Sequence, residues 1–366
     1  MKIEVFITNL TPIFSAAPGS ARVDIDGKEI LRGGFPAVLA RKQAVLTVNE
    51  ADIRKVEQVP VVPANSMRSL LRRTMLKHVI EPNLKDRVQL SIGAYAAAYA
   101  GNATGNPDGV SGSFDEIHML RSHPFIGLFG GGPRMLQGRL MVDNLWPMHK
   151  HAERIIGDGL ESRLINEPIT DLVWTRRVDP ISGLKEKESA DLIKGGAQAA
   201  NEWIVEAFNS RIAAEEKSSK TSKAEAGPKE EDKDPRGLRA FNAHEVVIAG
   251  MEWIWRMNID NPNKAQVGLM LAALSNMEKE RIAGGNSKNY GEFRIDSITV
   301  DGDNVWKAGS LDTEKCSTYM DAMAESLDSM TGAEFERFAA TAKEIAAKEK
   351  EEKEKAKEEK AAGKGK

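Results

Sequence analysis

Apolar and polar residues alternate in several short stretches of the chain, and this period of two predicts β-strands. The first strand is expected over residues 2–10. A later strand, over residues 251–260, places Trp253, Trp255 and Met257 on one face, which predicts a half-buried sheet face. Further strands are expected near residues 21–25, 138–142 and 238–249. Two more are expected, one that begins at residue 171 and one that leads up to Ile298. Residues 37–48 contain another apolar segment.

A period of three to four residues predicts three helices. The first begins after Pro63. Asn65 or Ser66 is its expected N-cap, because a side-chain oxygen at that position accepts a hydrogen bond from a first-turn N–H group. The second covers residues 265–282 and ends before a Gly-Gly pair, which is a good helix stop. The third, over residues 311–342, is amphipathic and acidic.

The first helix separates apolar from cationic residues. One side carries Met67, Leu70, Leu71, Thr74, Met75 and His78, and the other carries Arg68, Arg72, Arg73 and Lys77. Its N-terminus adds unpaired N–H groups and the positive end of the helix dipole, which favour a phosphate group. Either these cations meet phosphates, or they are solvated on an ordinary surface helix.

Two later stretches also suit a nucleic acid. Three glycines at residues 130–132 allow backbone conformations closed to other residues and let a ligand approach, although a tight turn into a strand explains them equally well. Trp174, Arg176 and Arg177 lie on an expected hairpin whose return arm is near residues 185–192. Trp174 is suited to stacking on a base and the arginines to phosphates; alternatively, Trp174 belongs to the core.

The charge of the chain is unevenly distributed. The net charge is -3 overall, but residues 1–150 contain 18 basic and 13 acidic residues, a net charge of +5 that leaves -8 for the remainder. A basic half beside an acidic half is able to present a local phosphate-binding surface. The charge balance alone does not establish such a surface.

Composition favours a cytoplasmic protein with a sizeable core. Hydrophobic residues make up 41% of the 366 residues, and no apolar run reaches membrane-spanning length. Cys316 is the single cysteine, which excludes an internal disulfide and fits a reducing compartment. The N-terminus alternates like a strand and lacks a signal-peptide core. Residues 210–237 are expected to form a disordered linker, and residues 343–366 a charged Lys/Glu/Ala tail.

The sequence contains no clear constellation of catalytic or metal-binding residues. His149 and His151 form a His-x-His pair without a third ligand nearby. Asp24 and Asp26 offer a short acidic pair of a kind that is common in turns. Three scattered histidines are each able to serve as the general base of a ribonuclease, namely His118, His123 and His244.

Four motifs, taken in order, resemble a known family. They are a Pro-x-x-Ser turn into a basic helix (63–73), a Leu-Phe-Gly-Gly loop before a strand (128–142), an Arg-x-x-Asp-x-x-Ser-Gly hairpin (176–183) and a Gly-Gly-x-Ser-x-x-Tyr-Gly loop before the last strand (284–295). The chain resembles the RAMP superfamily of CRISPR-associated proteins. Within that superfamily it is most similar to the backbone subunit that polymerises along the guide RNA, in its type IV version.

The resemblance implies an α+β fold, a modified ferredoxin-like (RRM-like) palm over residues 1–300. A finger or helical segment is inserted at about 84–123 and a thumb β-hairpin at about 165–195. The implied function is antiviral: copies line a crRNA in a helical filament, grip phosphates without sequence preference and present the spacer to target DNA or RNA. Other CRISPR effector subunits and a DinG-type helicase are implied partners, with no cofactor and no membrane.

The resemblance also implies a set of RNA-binding residues, carried over position by position. They are Ser66, Arg68, Arg72 and Arg73 in the basic helix, Gly130, Gly131, Gly132 and Arg134 in the glycine loop, Trp174, Arg176, Arg177 and Val178 in the thumb, and Ser287, Lys288, Asn289 and Tyr290 in the last loop.

One departure from the family concerns catalysis. Type III relatives cut target RNA with an aspartate in an early loop, and the best-matching stretch here, residues 32–36, contains no acid. The subunit is therefore expected to be non-catalytic. The alternative is a RAMP-type RNA endonuclease, target-cleaving or crRNA-processing, that uses Asp24, Asp26 or a histidine.

Overall fold

The computed structural model divides the chain into two compact units. The first comprises residues 1–18, 40–171 and 246–366, and the second comprises residues 19–39 and 172–245. The structure describes residues 1–19, 21–23, 28–29, 35–48, 54–101, 113–176, 198–199, 202, 205–206, 241–285, 288–341, 343–345, 347 and 350.

The strands are β1 (Lys2–Asn9), β2 (Ala21–Val23), β3 (Phe35–Val38), β4 (Lys42–Val48), β5 (Arg54–Pro60), β6 (Gly130–Gly131), β7 (Leu136–Gln137), β8 (Leu140–Pro147), β9 (Thr170–Arg176), β10 (Phe241–Val247), β11 (Glu252–Ile259), β12 (Phe293–Val300), β13 (Asp303–Asn304), β14 (Trp306–Lys307) and β15 (Ser310–Leu311). The helices are α1 (Ala64–Met75), α2 (Glu81–Leu84), α3 (Ile92–Ala100), α4 (Phe114–Ser122), α5 (Ile126–Phe129), α6 (Glu153–Ile156), α7 (Lys264–Asn276), α8 (Thr313–Ser329) and α9 (Gly332–Ala339). A π-helical turn, Leu76–Ile80, joins α1 to α2, and 3-10 turns lie at Lys150–Ala152, Glu161–Arg163 and Met277–Lys279.

An antiparallel sheet organises the first unit, with strand order β13-β12-β1-β11-β8. Alternation along β1 and β11 sends every second side chain to one face, where they join α1 and α7 in the main core. Trp253 and Trp255 lie on this face and are 1% and 0% exposed, so the face predicted as half-buried is fully buried. The expected mixture of helices and antiparallel strands, an α+β fold, is confirmed.

Part of the opposite face of this sheet is also covered. Phe6, Trp146 and Ile254 lie on it, and they pack against Val45 and Val59 of the β4–β5 hairpin. The side chains that β1 and β12 place on this face are partly or fully exposed, so the hairpin covers only part of it.

The predicted N-cap of the first helix is wrong. Pro63 is the N-cap residue, with extended backbone, and it makes no side-chain capping hydrogen bond. Asn65 and Ser66 lie within the first turn and are exposed. The Ala64 N–H group instead donates to Asn144 Oδ1 at 2.8 Å, and the Pro63 carbonyl accepts from Ser66 and Met67 N–H. The first-turn donors expected to attract phosphate are thus largely satisfied by the chain itself.

The C-terminal segment contains two helices where the sequence predicts one over residues 311–342. Helix α8 ends at Ser329, Met330 adopts extended backbone, and α9 follows. This break lets α9 turn its two aromatic residues, Phe335 and Phe338, into the main core, where they are 0% and 2% exposed.

The second unit contains a four-stranded sheet of order β2-β3-β10-β9 with a small core around Val23, Ala37 and Ala243. Strand β9 forms the first arm of the predicted thumb and neighbours β10 in this sheet. The predicted return arm at 185–192, the linker at 210–237 and most of the tail at 343–366 lie outside the described residues. Among the helices that are described, none is long and apolar enough to cross a membrane.

Candidate nucleic-acid interface

The glycine loop turns the chain from α5 into the β6–β7 hairpin. Gly130, Gly131 and Gly132 all adopt positive φ, at 58°, 101° and 71°. A Cβ atom on Gly130 would overlap the Leu136 carbonyl, and one on Gly131 would overlap the carbonyl of Gly101. The glycines are therefore required by close packing within the chain itself, as expected of a tight turn.

Two arginines of α1 connect the basic helix to this loop. Arg72 Nη2 donates to the Gly130 carbonyl at 2.9 Å and its Nη1 to the Ala97 carbonyl at 3.4 Å, while Arg68 donates to the carbonyl of Phe129. The Arg72 guanidinium also lies over the Phe129 ring, 5.0 Å from its centroid. Burial lowers the pKa of Arg72 to about 10, and the charge of Arg68 adds to the effect, so Arg72 stays cationic at neutral pH.

Helix α3 completes the same junction. Its C-cap is Gly101, whose carbonyl accepts a hydrogen bond from the Gly132 N–H group at 2.6 Å. We call the set of Arg68, Arg72, Ala97, Gly101 and Gly130 the arginine–glycine junction. The structure thus brings together the basic helix and the glycine loop, which the sequence separates by about sixty residues, but it uses the guanidinium groups to bind backbone carbonyls.

Arg134 is also occupied by the chain. Its Nη1 lies 2.9 Å from Glu116 Oε1, and its Nη2 donates to the Arg337 carbonyl at 2.8 Å. Arg337 Nε donates to the same Glu116 oxygen at 2.9 Å. Burial by itself raises the pKa of the Glu116 carboxyl, but the hydrogen bonds and charges of the two arginines outweigh it, so this pKa is lowered.

This lowered pKa predicts a pH dependence for stability. A carboxyl whose pKa is lower in the folded chain than the unfolded value of about 4.3 stabilises the fold above that value. The contribution is lost as the pH falls through the folded pKa. The thermal midpoint of the wild type should therefore fall more steeply below about pH 4.5 than that of Glu116→Gln.

Thermal unfolding between pH 3 and 7 measures this difference. Glu314→Gln, which changes an exposed carboxylate at the start of α8, is the matched control and should follow the wild type. Parallel midpoint curves for wild type and Glu116→Gln would show that Glu116 is not a stabilising ion pair.

Other predicted residues face outward or lie elsewhere. Ser66 is exposed and Arg73 is partly exposed. The Arg73 carbonyl accepts from the Leu76 N–H group, whereas the Arg73 guanidinium group makes no hydrogen bond or ion pair within the described residues. Lys77, predicted beside them, is paired with Glu280 at 2.7 Å, as is His78 at 2.8 Å. Arg73 is therefore the cation of α1 that remains available to a ligand.

The residues of the last predicted loop, 287–290, differ in how exposed they are. Lys288 and Asn289 are exposed, with Asn289 at a φ of 59°. Tyr290 is 9% exposed and packs so closely on Gly285 that a Cβ atom there would lie 2.7 Å from the ring. Ser287 lies outside the described residues.

The thumb residues belong to the second unit. Trp174 is 36% exposed on β9, and Arg176 is the last residue of that strand. Arg177 and Val178 lie outside the described residues, as do Asp24 and Asp26 of the early loop.

Sequence reasoning missed several residues that hold the interface together. Glu116, Phe129 and Gly101 all contact predicted residues directly. The one local signal was Gly101 at the end of an apolar helical stretch, where a left-handed C-cap is common. A buried acid such as Glu116 has no local sequence signature.

The histidines and acids do not form a metal site among the described residues. His149 and His151 lie with ring centroids 4.7 Å apart, and His149 Nδ1 accepts from the His151 N–H group at 3.1 Å. His118 is exposed and stacks on Phe114, whereas His123 is buried and accepts hydrogen bonds from the N–H groups at the start of α5.

Comparison with known proteins gives likenesses to solved structures. No protein-family model matches the chain, and no curated protein matches it. A chain of a solved structure described as "Type IV-B CRISPR Complex" is similar, with a TM-score of 0.45 and 13% sequence identity over 84% of this chain and 94% of that chain. A likeness at this level supports no assignment of function, which has to be argued from this chain's own residues.

Proposed function

We propose that this chain is a RAMP-type CRISPR effector backbone subunit that oligomerises along a guide RNA. The observation that carries the proposal is the arginine–glycine junction. It fixes a cationic helix against a glycine loop and leaves Arg73 facing outward. These are two of the four motifs on which the family resemblance depends, and they meet in space.

The order of elements in the first unit supports a ferredoxin-like palm. Along the chain they follow as β1, α1, β8, β11, α7 and β12, and the four strands lie in the order β12-β1-β11-β8. A β-α-β-β-α-β succession of this kind is the ferredoxin-like arrangement. The β4–β5 hairpin and the α3–α4 segment are then insertions into the palm.

The proposed grip on RNA is through the backbone. A guide filament has to accept any spacer sequence, and phosphate contacts provide affinity without reading bases. In this scheme Arg73 contacts a phosphate, and Ser66, Lys288 and Asn289 line the path of the strand. Arg68, Arg72 and Arg134 position the loop, because their guanidinium groups are already bonded to the chain.

The proposed partners follow from this role. They are crRNA, a DNA or RNA target, neighbouring copies in a helical filament, other CRISPR effector subunits and a DinG-type helicase, in the cytoplasm. The subunit needs no cofactor and is non-catalytic. Incubation of labelled RNA with Mg²⁺ tests the last point, since specific cleavage that His118→Ala abolishes would replace this proposal with an endonuclease.

Purification from cells that co-express a CRISPR array tests the function directly. The bound nucleic acid is extracted and sequenced. We expect repeat-flanked guide RNA of uniform length in a high-molecular-weight peak. A nucleic-acid-free monomer at low salt would refute the proposal.

Arg73→Ala should weaken binding of a generic single-stranded RNA and flatten its salt dependence. Each phosphate contact on a single strand contributes a slope of about -0.7 to log K against log salt, so loss of Arg73 should reduce the slope by that amount. Binding is measured by filter retention at several salt concentrations. Lys307→Ala, an exposed cation in the β14–β15 hairpin, is the control and should leave the slope unchanged. Equal slopes for wild type and Arg73→Ala would remove Arg73 from the interface.

A further inference from the structure

A cavity of about 210 Å³ lies between the β6–β7 hairpin, α4 and α9. Its walls are mainly apolar, and two arginines lie among them. The lining includes Leu120, Arg121, Arg134, Met135, Leu136 and Phe338. All of these residues belong to the first unit, and one wall is the hairpin that follows the glycine loop.

The polar side chains that line this cavity are the guanidinium groups of Arg121 and Arg134 and the amide of Gln137. The Arg121 side chain is 31% exposed, and its Nη2 atom lies 3.8 Å from Asp260 Oδ2, beyond hydrogen-bond distance. The Nε atoms of Arg121 and Arg134 also have no hydrogen-bond partner among the described residues, but they are buried out of reach of a ligand in the cavity. The nearby acceptor, the Glu116 carboxylate, already binds Arg134 and Arg337 through one oxygen. A guanidinium group has no acceptor atom, so a ligand that satisfies these arginines has to supply acceptors.

The rim of the cavity carries a strained residue. Met135 adopts a φ of 54°, in the left-handed region that non-glycine residues rarely enter, and its side chain is 61% exposed. The turn from Gly132 to Met135 is closed by the hydrogen bond from the Met135 N–H group to the Gly132 carbonyl at 3.1 Å. This turn therefore holds the flexible, polarisable Met135 side chain at the mouth of the cavity. A thioether in that position is able to cover the face of a planar ligand.

We propose that this cavity binds a nucleobase, that is, a planar heterocycle with ring nitrogen and carbonyl acceptors. Its size is below the range of about 300–1,000 Å³ that is typical of drug-sized ligands, which fits one ring system better than a whole nucleotide. Carbonyl and ring-nitrogen acceptors of a base are common partners of arginine. The base comes either from a bound strand or from a free nucleoside, and the two sources give different results in the test below.

Two other ligand classes fit the cavity less well. A phosphate would satisfy the arginines, but it would lose its hydration against Leu120, Leu136 and Phe338, which is costly for a charged group. An aliphatic side chain from a protein partner would match these walls, but it would offer no acceptor to the partly exposed Arg121 guanidinium group. A base satisfies the apolar walls and the donors together.

Ligand-observed saturation-transfer NMR with free uridine and guanosine tests binding of the base alone. We expect signal transfer to the ring protons of at least one nucleoside in the wild type. Leu136→Trp, which fills the cavity from a partly exposed strand position, should weaken this binding at least tenfold. Leu311→Trp is the matched control at another partly exposed strand position and should bind as the wild type does.

A second variant tests the cavity independently, in case Leu136→Trp does not fold. Met135→Gly removes the rim side chain and is compatible with the positive φ, so it should fold normally and bind the nucleoside at least threefold more weakly. Ala308→Gly makes the same kind of change at a φ of 52° in the β14–β15 turn and is its control. Unchanged nucleoside binding in both cavity variants would overturn the proposal.

Photo-crosslinking with an oligouridine that carries 4-thiouridine identifies the source of the base. A crosslink to the peptide containing Met135, lost in Leu136→Trp while total RNA retention stays within twofold, assigns the cavity to a base of a bound strand. Nucleoside binding without such a crosslink assigns it to a free nucleoside. No signal from either nucleoside together with no such crosslink would refute the site, and so would tighter binding of N-acetyl-leucinamide than of both nucleosides.

The nucleoside experiment does not depend on the guide-RNA function. If RNA is not retained but uridine or guanosine binds, the proposed filament role fails and the base-binding cavity stands. If RNA is retained without a crosslink at the cavity and without nucleoside binding, the cavity proposal fails and the filament role stands.

Discussion

Gly131→Ala should destabilise the protein by about 4 kcal/mol or more, an effect large enough to unfold many domains. Gly131 has a φ of 101°, where an L-residue is strained at a cost of about 1–3 kcal/mol. In addition, the new Cβ atom would overlap the carbonyl of Gly101, a rigid backbone atom at the end of α3. The loop would have to move away from α3, which would also break the hydrogen bond from the Gly132 N–H group to Gly101.

Gly302→Ala separates these two contributions. Gly302 has a φ of 95°, close to that of Gly131, but a Cβ atom there would meet no atom within 4 Å. The control should therefore cost only the backbone strain, about 1–3 kcal/mol. Urea unfolding of both variants gives the difference, which measures the close approach of the glycine loop to α3. Equal losses of stability in the two variants would show that this contact contributes nothing.

Periodicity was sufficient to predict strands β1 and β11 of the first unit. Trp253, Trp255 and Met257 alternate on β11, and that pattern places them on one sheet face whatever covers it. The pattern does not say how deep the face lies. Its complete burial depends on α1 and α7, which come from distant parts of the chain, and sequence spacing contains no information about that packing.

The N-cap of α1 was mispredicted for a physical reason. Asn and Ser are strong capping residues in isolation. Here, however, Val62 still pairs with Leu145 in an extended segment, and the next residue, Pro63, has a φ fixed by its ring. The helix therefore starts one residue after the proline. Asn144, remote in sequence, supplies the oxygen that a local cap would have supplied.

The sequence could not predict which arginine of α1 is buried against backbone carbonyls and which is partly exposed. Arg72 and Arg73 are adjacent and identical in type, and helical spacing places both on the cationic side. One is 7% exposed and bound to carbonyls, and the other is partly exposed. The difference arises from the position of Gly130 and α3, whose carbonyl groups lie within hydrogen-bond reach of the Arg72 guanidinium group.

Arg72→Met should lower the free energy of unfolding by about 3 kcal/mol, because it leaves the carbonyls of Gly130 and Ala97 without their charged donor while keeping the apolar stem. Arg72→Lys should recover less than half of this loss, since one ammonium group cannot span both carbonyls as the guanidinium fork does. Urea unfolding measures both variants. Arg73→Met, on the neighbouring residue, is the control and should change stability by no more than about 0.5 kcal/mol.

The same variants decide whether Arg72 grips RNA or holds the loop. If Arg72 contacted a phosphate, Arg72→Met would flatten the salt slope of RNA binding and leave stability unchanged. If Arg72 holds the loop, Arg72→Met lowers the free energy of unfolding. The salt slope of RNA binding, measured on the folded fraction, then stays within error of the wild type, because in this case the phosphate contacts belong to residues such as Arg73. The buried guanidinium, bonded to two backbone carbonyls and placed over Phe129, leads us to expect the second result. The proposed guide-binding surface would then depend on Arg72 without including it.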